Sequence, residues 1–429
     1  MESHIISSIE IKGLWGRSSY KLKLNDKVNF LIGRNGCGKT TIIALIHSAL
    51  RVNLSELVKL DFTQLNIGLK DLKSGNYSIL NVNISESKML FELDELKFKV
   101  DIDKSGLRGG GIRYGMRMIE RFISGDYDLI KDKLAKITPI AWLPVSRRLP
   151  LSEEDRIDRR ATRSDDVESV DMCLTDLERE LQNYCSSLAR EHTLLQKKFE
   201  QEALKNLLFN KSIDGTFDIK NIPQPTDEDK KNLIHAFDTL GILNGAIKMQ
   251  IDDHFKASKV ALDKINNLGE NDGFPINDLF VFPLIRRTQN LVSFAQELEQ
   301  ERLKLYQAID VFVKICKKFF KDKLVNISPN GLIIVSSLRN ADALEWKMLS
   351  SGEKQILILL IQALVWSNKP VIYIADEPEL SLHVEWQEML IDSIKALAGD
   401  CQLIIATHSP DITGGDTDSI IKISRLEEI

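Results

Sequence analysis

Apolar and polar positions along the chain change their period twice. Short apolar runs at 5–11, 28–32, 79–84 and 89–100 predict strands, and the 40–50 stretch predicts a helix. A further apolar run at 137–144 predicts another strand. From Leu174 the period becomes helical. Leu174, Leu177, Leu181, Tyr184 and Leu188 recur at 3-4-3-4 spacing, Glu191 breaks the repeat, and Leu195 returns to it. More helix is expected over 228–268 and 286–320. Strand periodicity resumes at 324–327 and 332–335, with a turn at Pro329-Asn330-Gly331. A helix from about 351, a buried strand at 371–375, a helix over 383–397 and a strand at 402–406 complete the pattern. This order implies an α/β head in two sequence halves, 1–150 and 326–429, interrupted by a helical insertion at 151–325. That insertion is either a short antiparallel coiled coil or an ordinary helical domain.

Composition narrows the classes. The 429 residues are 43% hydrophobic and 28% charged, a globular mix that excludes a mainly disordered or collagenous chain. With 57 Lys plus Arg against 62 Asp plus Glu, the formal net charge is −5, so the chain as a whole is no basic nucleic-acid coat. Two local basic stretches stand out. One is the Gly-rich 104–121 segment, read as a hairpin tip or as a nucleic-acid contact through Arg108, Arg113 and Arg117. The other is Lys314, Lys317, Lys318 and Lys321 beside Phe319 and Phe320, read as the solvated face of an amphipathic helix or as a DNA contact. The apolar stretch at 356–366 is too short to span a bilayer, and the Met-Glu-Ser-His start does not read as a secretion signal. Cys37, Cys173, Cys185, Cys316 and Cys401 are scattered without Cys-x-x-Cys spacing, so a reducing cytoplasm is expected.

Three segments carry chemistry. Gly33-Arg34-Asn35-Gly36-Cys37-Gly38-Lys39-Thr40 fits G-x-x-x-x-G-K-[ST] between a strand and a helix. Its glycines let successive N–H groups face phosphate oxygens at a helix N-terminus. Lys39 is expected to reach the β- and γ-phosphates and Thr40 to ligate Mg²⁺; Gly33, Asn35, Gly36, Gly38 and Thr41 complete the loop. Val371-Ile372-Tyr373-Ile374-Ala375-Asp376-Glu377-Pro378 is an apolar strand ending in two carboxylates. Asp376 is expected in the Mg²⁺ shell and Glu377 as the group that polarises the attacking water. Leu349-Ser350-Ser351-Gly352-Glu353 reads as a capping box, with Ser350 as N-cap and Glu353 three residues on. Its helix N-terminus also offers N–H groups and a hydroxyl to a phosphate.

The order of phosphate loop, Leu-Ser-Ser-Gly-Glu, Asp-Glu-Pro-Glu-x-x-Leu-His and a final strand ending Thr407-His408-Ser409-Pro410 resembles the ABC-type ATPases. Within them it is most similar to the SMC, RecF and OLD-like branch, because 337 positions separate Lys39 from Asp376. The resemblance implies that ATP is sandwiched in a homodimer, with Ser350 and Gly352 contacting the γ-phosphate bound by the partner. It also implies that His408 is the switch histidine. Transporter ATPases, a third possibility, have Asp where this chain has His383. The chain departs from the family in having no Gln between Gln64 and Gln182, so Ser146 or Arg147 is considered for the Q-loop role. Trp15 and Arg17 are the candidates beside the adenine.

The N-terminal Ile-Lys-Gly-Leu-Trp-Gly and the short insertion further resemble the AriA ATPase family of PARIS antiphage systems, and next the PtuA family of Septu and retron systems. This resemblance implies an antiviral defence ATPase that acts as sensor and scaffold for a separate effector, a TOPRIM-like or HNH nuclease, released by a phage trigger protein. It allows assembly beyond the dimer, up to a hexamer. A RecF- or SMC-like repair ATPase that binds DNA directly is the alternative. The sequence ends 21 residues after His408, too few for the TOPRIM domain of OLD-like nucleases, and a separate effector is therefore expected.

Overall fold

The computed structural model describes residues 4–85, 87–102, 123–143, 168–208, 226–239, 242–266, 281–338, 343–367 and 369–424. Arg108, Arg113, Arg117, Ser146, Arg147 and most of the mixed-charge stretch at 151–171 lie outside the described residues. The chain divides into two compact units: residues 1–182 with 311–429, and residues 183–310.

Among the described residues, the first unit holds an α/β head built on three sheets. β1 (His4–Leu14), β2 (Ser18–Lys23), β4 (Gln64–Asp71), β5 (Tyr77–Ile84), β6 (Lys88–Leu93), β7 (Leu96–Asp101) and β8 (Ile123–Gly125) form an antiparallel sheet in the order β2-β1-β4-β5-β6-β7-β8. Buried and less buried positions alternate along β4 and β6, as expected for a sheet with one face on the core. The apolar run at 89–100 is two strands, because Asp94 takes φ 55° and turns the chain into a hairpin.

The second sheet carries the site. β3 (Val28–Ile32), β9 (Ile140–Leu143), β13 (Val371–Asp376), β14 (Cys401–Ala406) and β15 (Ile420–Lys422) pair in the order β15-β3-β14-β13-β9, all parallel. β13 and β14 are buried along nearly their whole length, as continuous apolar runs in a parallel sheet must be. The sheet brings 28–32 beside 401–406, an adjacency that leaves no trace in periodicity. A buried amide ties the two large sheets together: Gln402 Oε1 accepts from Ile6 N at 2.9 Å, while Nε2 donates to Ile6 O at 2.7 Å and Asn25 O at 2.8 Å. The third sheet, β10 (Lys323–Ile327), β11 (Ile333–Ser337) and β12 (Ala343–Leu344), turns at Gly331, whose φ is 79°.

Helices Glu168–Lys205 and Val281–Phe319 each run through both units, and Asp227–Thr239 and Gly245–Asn266 lie in the second. The seam residues Leu174, Leu177, Leu181 and Leu188 are buried, whereas Glu191 is exposed. Phe319 and Phe320 are also buried, with Lys314, Lys317 and Lys318 exposed around them. These rings therefore pack the head and do not present a face to bases, the arrangement expected of an amphipathic helix with a solvated basic side. All five cysteines are free. Among the described residues, no helix is long and apolar enough to cross a membrane.

Candidate functional site

The site forms where β3, β13 and β14 end. β3 delivers the chain into the glycine loop, and the helix Lys39–Leu50 follows with Gly38 as its N-cap. Gly38 has φ 102° and no side-chain cap, which leaves the first N–H groups of the helix without the side-chain acceptor most helices provide. Gly36 has φ 78° and open space where a Cβ would stand. A Cβ at Gly38 would come within 2.7 Å of the Trp15 ring, so that ring lies directly over the loop. Arg34, Asn35, Gly36 and Thr40 are exposed, and Thr41 is half-buried. The Tyr20 hydroxyl donates to the Cys37 carbonyl at 2.9 Å and fixes the loop from beneath.

Lys39 is buried at 5% exposure. Its Nζ donates to the Gly33 carbonyl at 3.1 Å and to His408 Nε2 at 2.5 Å. An ammonium has only donors, so the facing ring nitrogen accepts. The same Nε2 lies 3.6 Å from Glu377 Oε1. Lys39, His408 and Glu377 thus form one contiguous group, although 369 positions separate the first two.

Asp376 closes β13. Burial pushes its carboxyl up from the usual carboxylate range and the Glu377 charge adds to this, while a hydrogen bond from Thr40 and the charge of Lys39 pull it back. Asp376 Oδ1 is buried without a hydrogen-bond partner among the described residues. An orphaned carboxylate oxygen next to a threonine hydroxyl suits a hard divalent cation such as Mg²⁺. No cluster of three His, Cys, Asp or Glu among the described residues is arranged to hold a metal unaided. Phosphate oxygens and water would have to complete the shell, as is usual for Mg²⁺ in nucleotide sites. Glu377 sits at φ 54°, a left-handed conformation costing roughly 1–2 kcal/mol for a residue with a Cβ. Its N–H donates to the Ala406 carbonyl at 2.7 Å, which anchors the turn against β14.

The Leu-Ser-Ser-Gly-Glu segment opens the helix Ser351–Val365. The capping box is present: Ser350 N and Oγ both donate to Glu353 Oε2 at 2.8 Å, and Glu353 N donates back to Ser350 Oγ at 3.4 Å. Lys323 Nζ holds the other carboxylate oxygen at 2.5 Å. A Cβ at Gly352 would meet the Ser381 carbonyl at 2.8 Å, so glycine permits this helix to seat against the segment that follows Glu377. Ser350 and Ser351 are exposed. The structure thus gathers Lys39, Thr40, Asp376, Glu377 and His408 in one place. It puts Ser350 and Gly352 on a separate, outward-facing helix start, joined to Glu377 through the 377–383 segment. His383 caps the next helix, its Nδ1 accepting from Glu385 N at 3.4 Å.

Glu379 escaped sequence reasoning. Its Oε1 accepts from Thr407 Oγ1 at 2.6 Å, His408 N at 2.8 Å and Ser409 N at 3.2 Å. It is the third carboxylate of Asp-Glu-Pro-Glu, but nothing in the sequence pairs it with residues 28, 29 and 30 positions away.

A sequence-family model described as "AAA ATPase domain" matches residues 5–413. A curated relative from Vibrio cholerae, named retron Vc95 probable ATPase, is 25% identical over 196 residues; the match spans 40% of this chain and 38% of the relative. An Smc head domain with an extended coiled coil from Pyrococcus furiosus, solved with the C-terminal domain of ScpA, aligns over 99% of this chain and 94% of its own at 13% identity and TM-score 0.45. An Smc head with a coiled coil and joint from Pyrococcus yayanosii aligns over 98% and 95% at 12% identity and TM-score 0.44. With scores below 0.5, the fold assignment rests on the strand order and the family match.

Proposed function

The chain belongs to the AAA ATPase domain family, and from that premise we propose that it binds and hydrolyses ATP between two copies of itself, as the ATPase subunit of an antiphage defence complex that governs a separate effector. The observation carrying this reading is the convergence of Lys39, Thr40, Asp376, Glu377 and His408 around an uncapped glycine loop. Lys39 would exchange its contacts to Gly33 and His408 for phosphate oxygens. Thr40 and Asp376 would hold Mg²⁺, which supplies charge neutralisation on the phosphates. Glu377, aimed by its left-handed backbone, would orient the attacking water, and His408 would donate toward the γ-phosphate. The Trp15 ring, which lies over Gly38, would stack on the adenine. Ser350, exposed at its own helix start, and Gly352, partly buried beside it, would serve the partner's nucleotide. For this, Ser350 must turn its hydroxyl away from Glu353.

The defence role draws support from the named retron ATPase relative, which favours the retron side of that reading; the PARIS side stands on the sequence resemblance alone. The effector is expected to be a nuclease carried on a separate chain, with a phage protein as trigger. Direct DNA binding by a repair ATPase has less support, because Phe319 and Phe320 are buried.

The test is light scattering and turnover with the Glu377→Gln protein. It should retain ATP, accumulate as a dimer, and lose about 10²–10⁴-fold in hydrolysis, the range for loss of a general base. Ser350→Arg should block dimer formation while one copy still binds ATP. A monomeric Glu377→Gln protein with normal turnover would refute the reading. Co-purification with the product of the neighbouring gene tests the effector, and salt-sensitive DNA binding by the protein alone would favour repair.

A further inference from the structure

The hydrolytic scheme leaves Glu379 without a task, yet this side chain is more constrained than any role in capping a loop requires. Three donors from the consecutive residues Thr407, His408 and Ser409 converge on its single oxygen Oε1, at 2.6, 2.8 and 3.2 Å. This is the arrangement by which successive backbone N–H groups enclose an anion, with the anion supplied by the protein itself. The other oxygen, Oε2, is buried and has no hydrogen-bond partner among the described residues. A carboxylate oxygen left in that state is unfavourable, so its retention asks for a reason beyond local packing.

The geometry supplies one. His408 leaves β14 at the point the three bonds hold, and its ring then meets Lys39 at 2.5 Å and Glu377 at 3.6 Å. Thr407 is fully buried, so its hydroxyl gives the clamp a rigid foot. Ser409 Oγ donates to Gln387 Oε1 at 2.7 Å, which fixes the far side of the turn. Glu379 itself lies two residues beyond Glu377, on the short segment whose Ser381 carbonyl packs against Gly352. One side chain therefore links the water-orienting carboxylate, the histidine turn and the helix start that faces outward.

We propose that Glu379 is a positioning residue for hydrolysis: by accepting all three bonds it sets the 407–409 turn so that His408 stands between Lys39 and Glu377. The proposal rests on the reading of His408 as part of the hydrolytic centre. It makes His408 alignment sensitive to any movement of the 377–383 segment, including one transmitted from a partner subunit.

Steady-state ATP hydrolysis by a set of variants tests it. Glu379→Ala should lower kcat about 10- to 100-fold, as misplacement by about 1 Å can do, with KM for ATP within about threefold. In a His408→Ala background the same change should cost less than about twofold, because a residue acting through His408 has nothing further to lose. Glu379→Gln keeps an acceptor oxygen for the three donors and should recover most of the loss. If Glu379→Ala does not fold, Thr407→Val removes one donor and should show a smaller fall in kcat with the same dependence on His408. Multiplicative losses in the double variant, or unchanged kcat in Glu379→Ala, would overturn the proposal while leaving His408 in place. A Gln variant as impaired as Ala would overturn it in favour of a charge effect. A His408→Ala protein with normal kcat would remove the reading beneath it.

Discussion

In the unit formed by residues 1–182 and 311–429, one apolar cluster runs from Ile6 and Ile9 on β1 through Leu45 and Ile46 to Ile374 on β13 and Ile404 on β14. In the unit formed by 183–310, buried side chains gather in small groups, such as Phe199, Ala236, Ala295 and Leu298, or Leu233, Ile251, Phe255 and Val292. The head can therefore support features that cost free energy: Glu377 at positive φ, an uncapped helix N-terminus, and buried carboxylate oxygens without partners. Among the described residues, the helical unit shows small apolar groups carried on long helices. Chemistry collects where the surrounding core is large enough to over-determine it.

The sharpest way to break this contrast is to strike each unit and read the nucleotide. Lys39→Ala, in the head, should weaken ATP binding roughly 10- to 100-fold, the range for losing charged hydrogen bonds. Phe255→Ala, in the helical unit, should leave the affinity unchanged; isothermal titration of both variants decides. An affinity loss in Phe255→Ala would mean that the two units are not separable in function.

Stability gives the next test. Phe30 is 1% exposed on the strand that feeds the phosphate loop. Phe30→Ala should cost about 3–5 kcal/mol and take ATP binding with it, whereas Phe255→Ala should fall at the lower end, since small clusters can collapse around a lost ring. Chemical denaturation followed by circular dichroism measures both. Equal costs would erase the distinction between one large core and several small ones.

The head should also show a specific acid sensitivity. His47 lies on the phosphate-loop helix, edge-on to Trp142 at 4.8 Å, and burial, helped by Arg51, lowers its pKa to about 4. The unfolded chain binds a proton near pH 6.5 that the folded head refuses, so stability falls as pH drops from about 6.5 towards 4, by up to roughly 3 kcal/mol. His47→Gln should flatten that part of the melting-temperature profile. An unchanged profile would remove His47 as its source.

The smallest effect concerns Asp376. Its carboxyl is pushed up by burial, so the folded state favours the protonated form, and stability declines as pH rises through the window between the unfolded and folded values. Asp376→Asn should therefore raise the melting temperature of the nucleotide-free protein at neutral pH slightly, while Mg²⁺-dependent hydrolysis is lost. A lower melting temperature would show that the Thr40 bond outweighs the burial.

Much of the head is legible in the sequence because its chemistry is local. A glycine loop between an apolar strand and a helix places N–H groups, Lys39 and Thr40 within eight consecutive residues, and the capping box at Ser350 and Glu353 needs only four. The strand ending in Asp376 and Glu377 is likewise contiguous, and its continuous apolar run identifies a strand buried on both faces. Other elements were passed over. β4 does alternate, with Leu65, Ile67 and Leu69 between Gln64, Asn66 and Gly68, so its strand period was available in the sequence, whereas the helix Leu54–Lys59, six residues capped by Asn53, is too short to establish a period.

What the sequence determined by itself was the inventory: a glycine loop ending in Lys39 and Thr40, an acidic strand end, a serine-glycine helix start and a histidine after the last long strand, in an order that resembles one ATPase class. Tertiary structure alone decided which of them meet. Pairing β3 with β14 and β14 with β13 carries Lys39 to His408 across 369 positions and sets His408 beside Glu377. It also lays Trp15 over Gly38, turns Glu379 into a clamp on the 407–409 turn, and leaves Ser350 facing outward. The physical reason is that loop and capping bonds form between near neighbours and so are written in short spacings. Contacts between strand ends depend instead on sheet order, which is set by burial of whole faces and by no pair of residues that a linear reading can join.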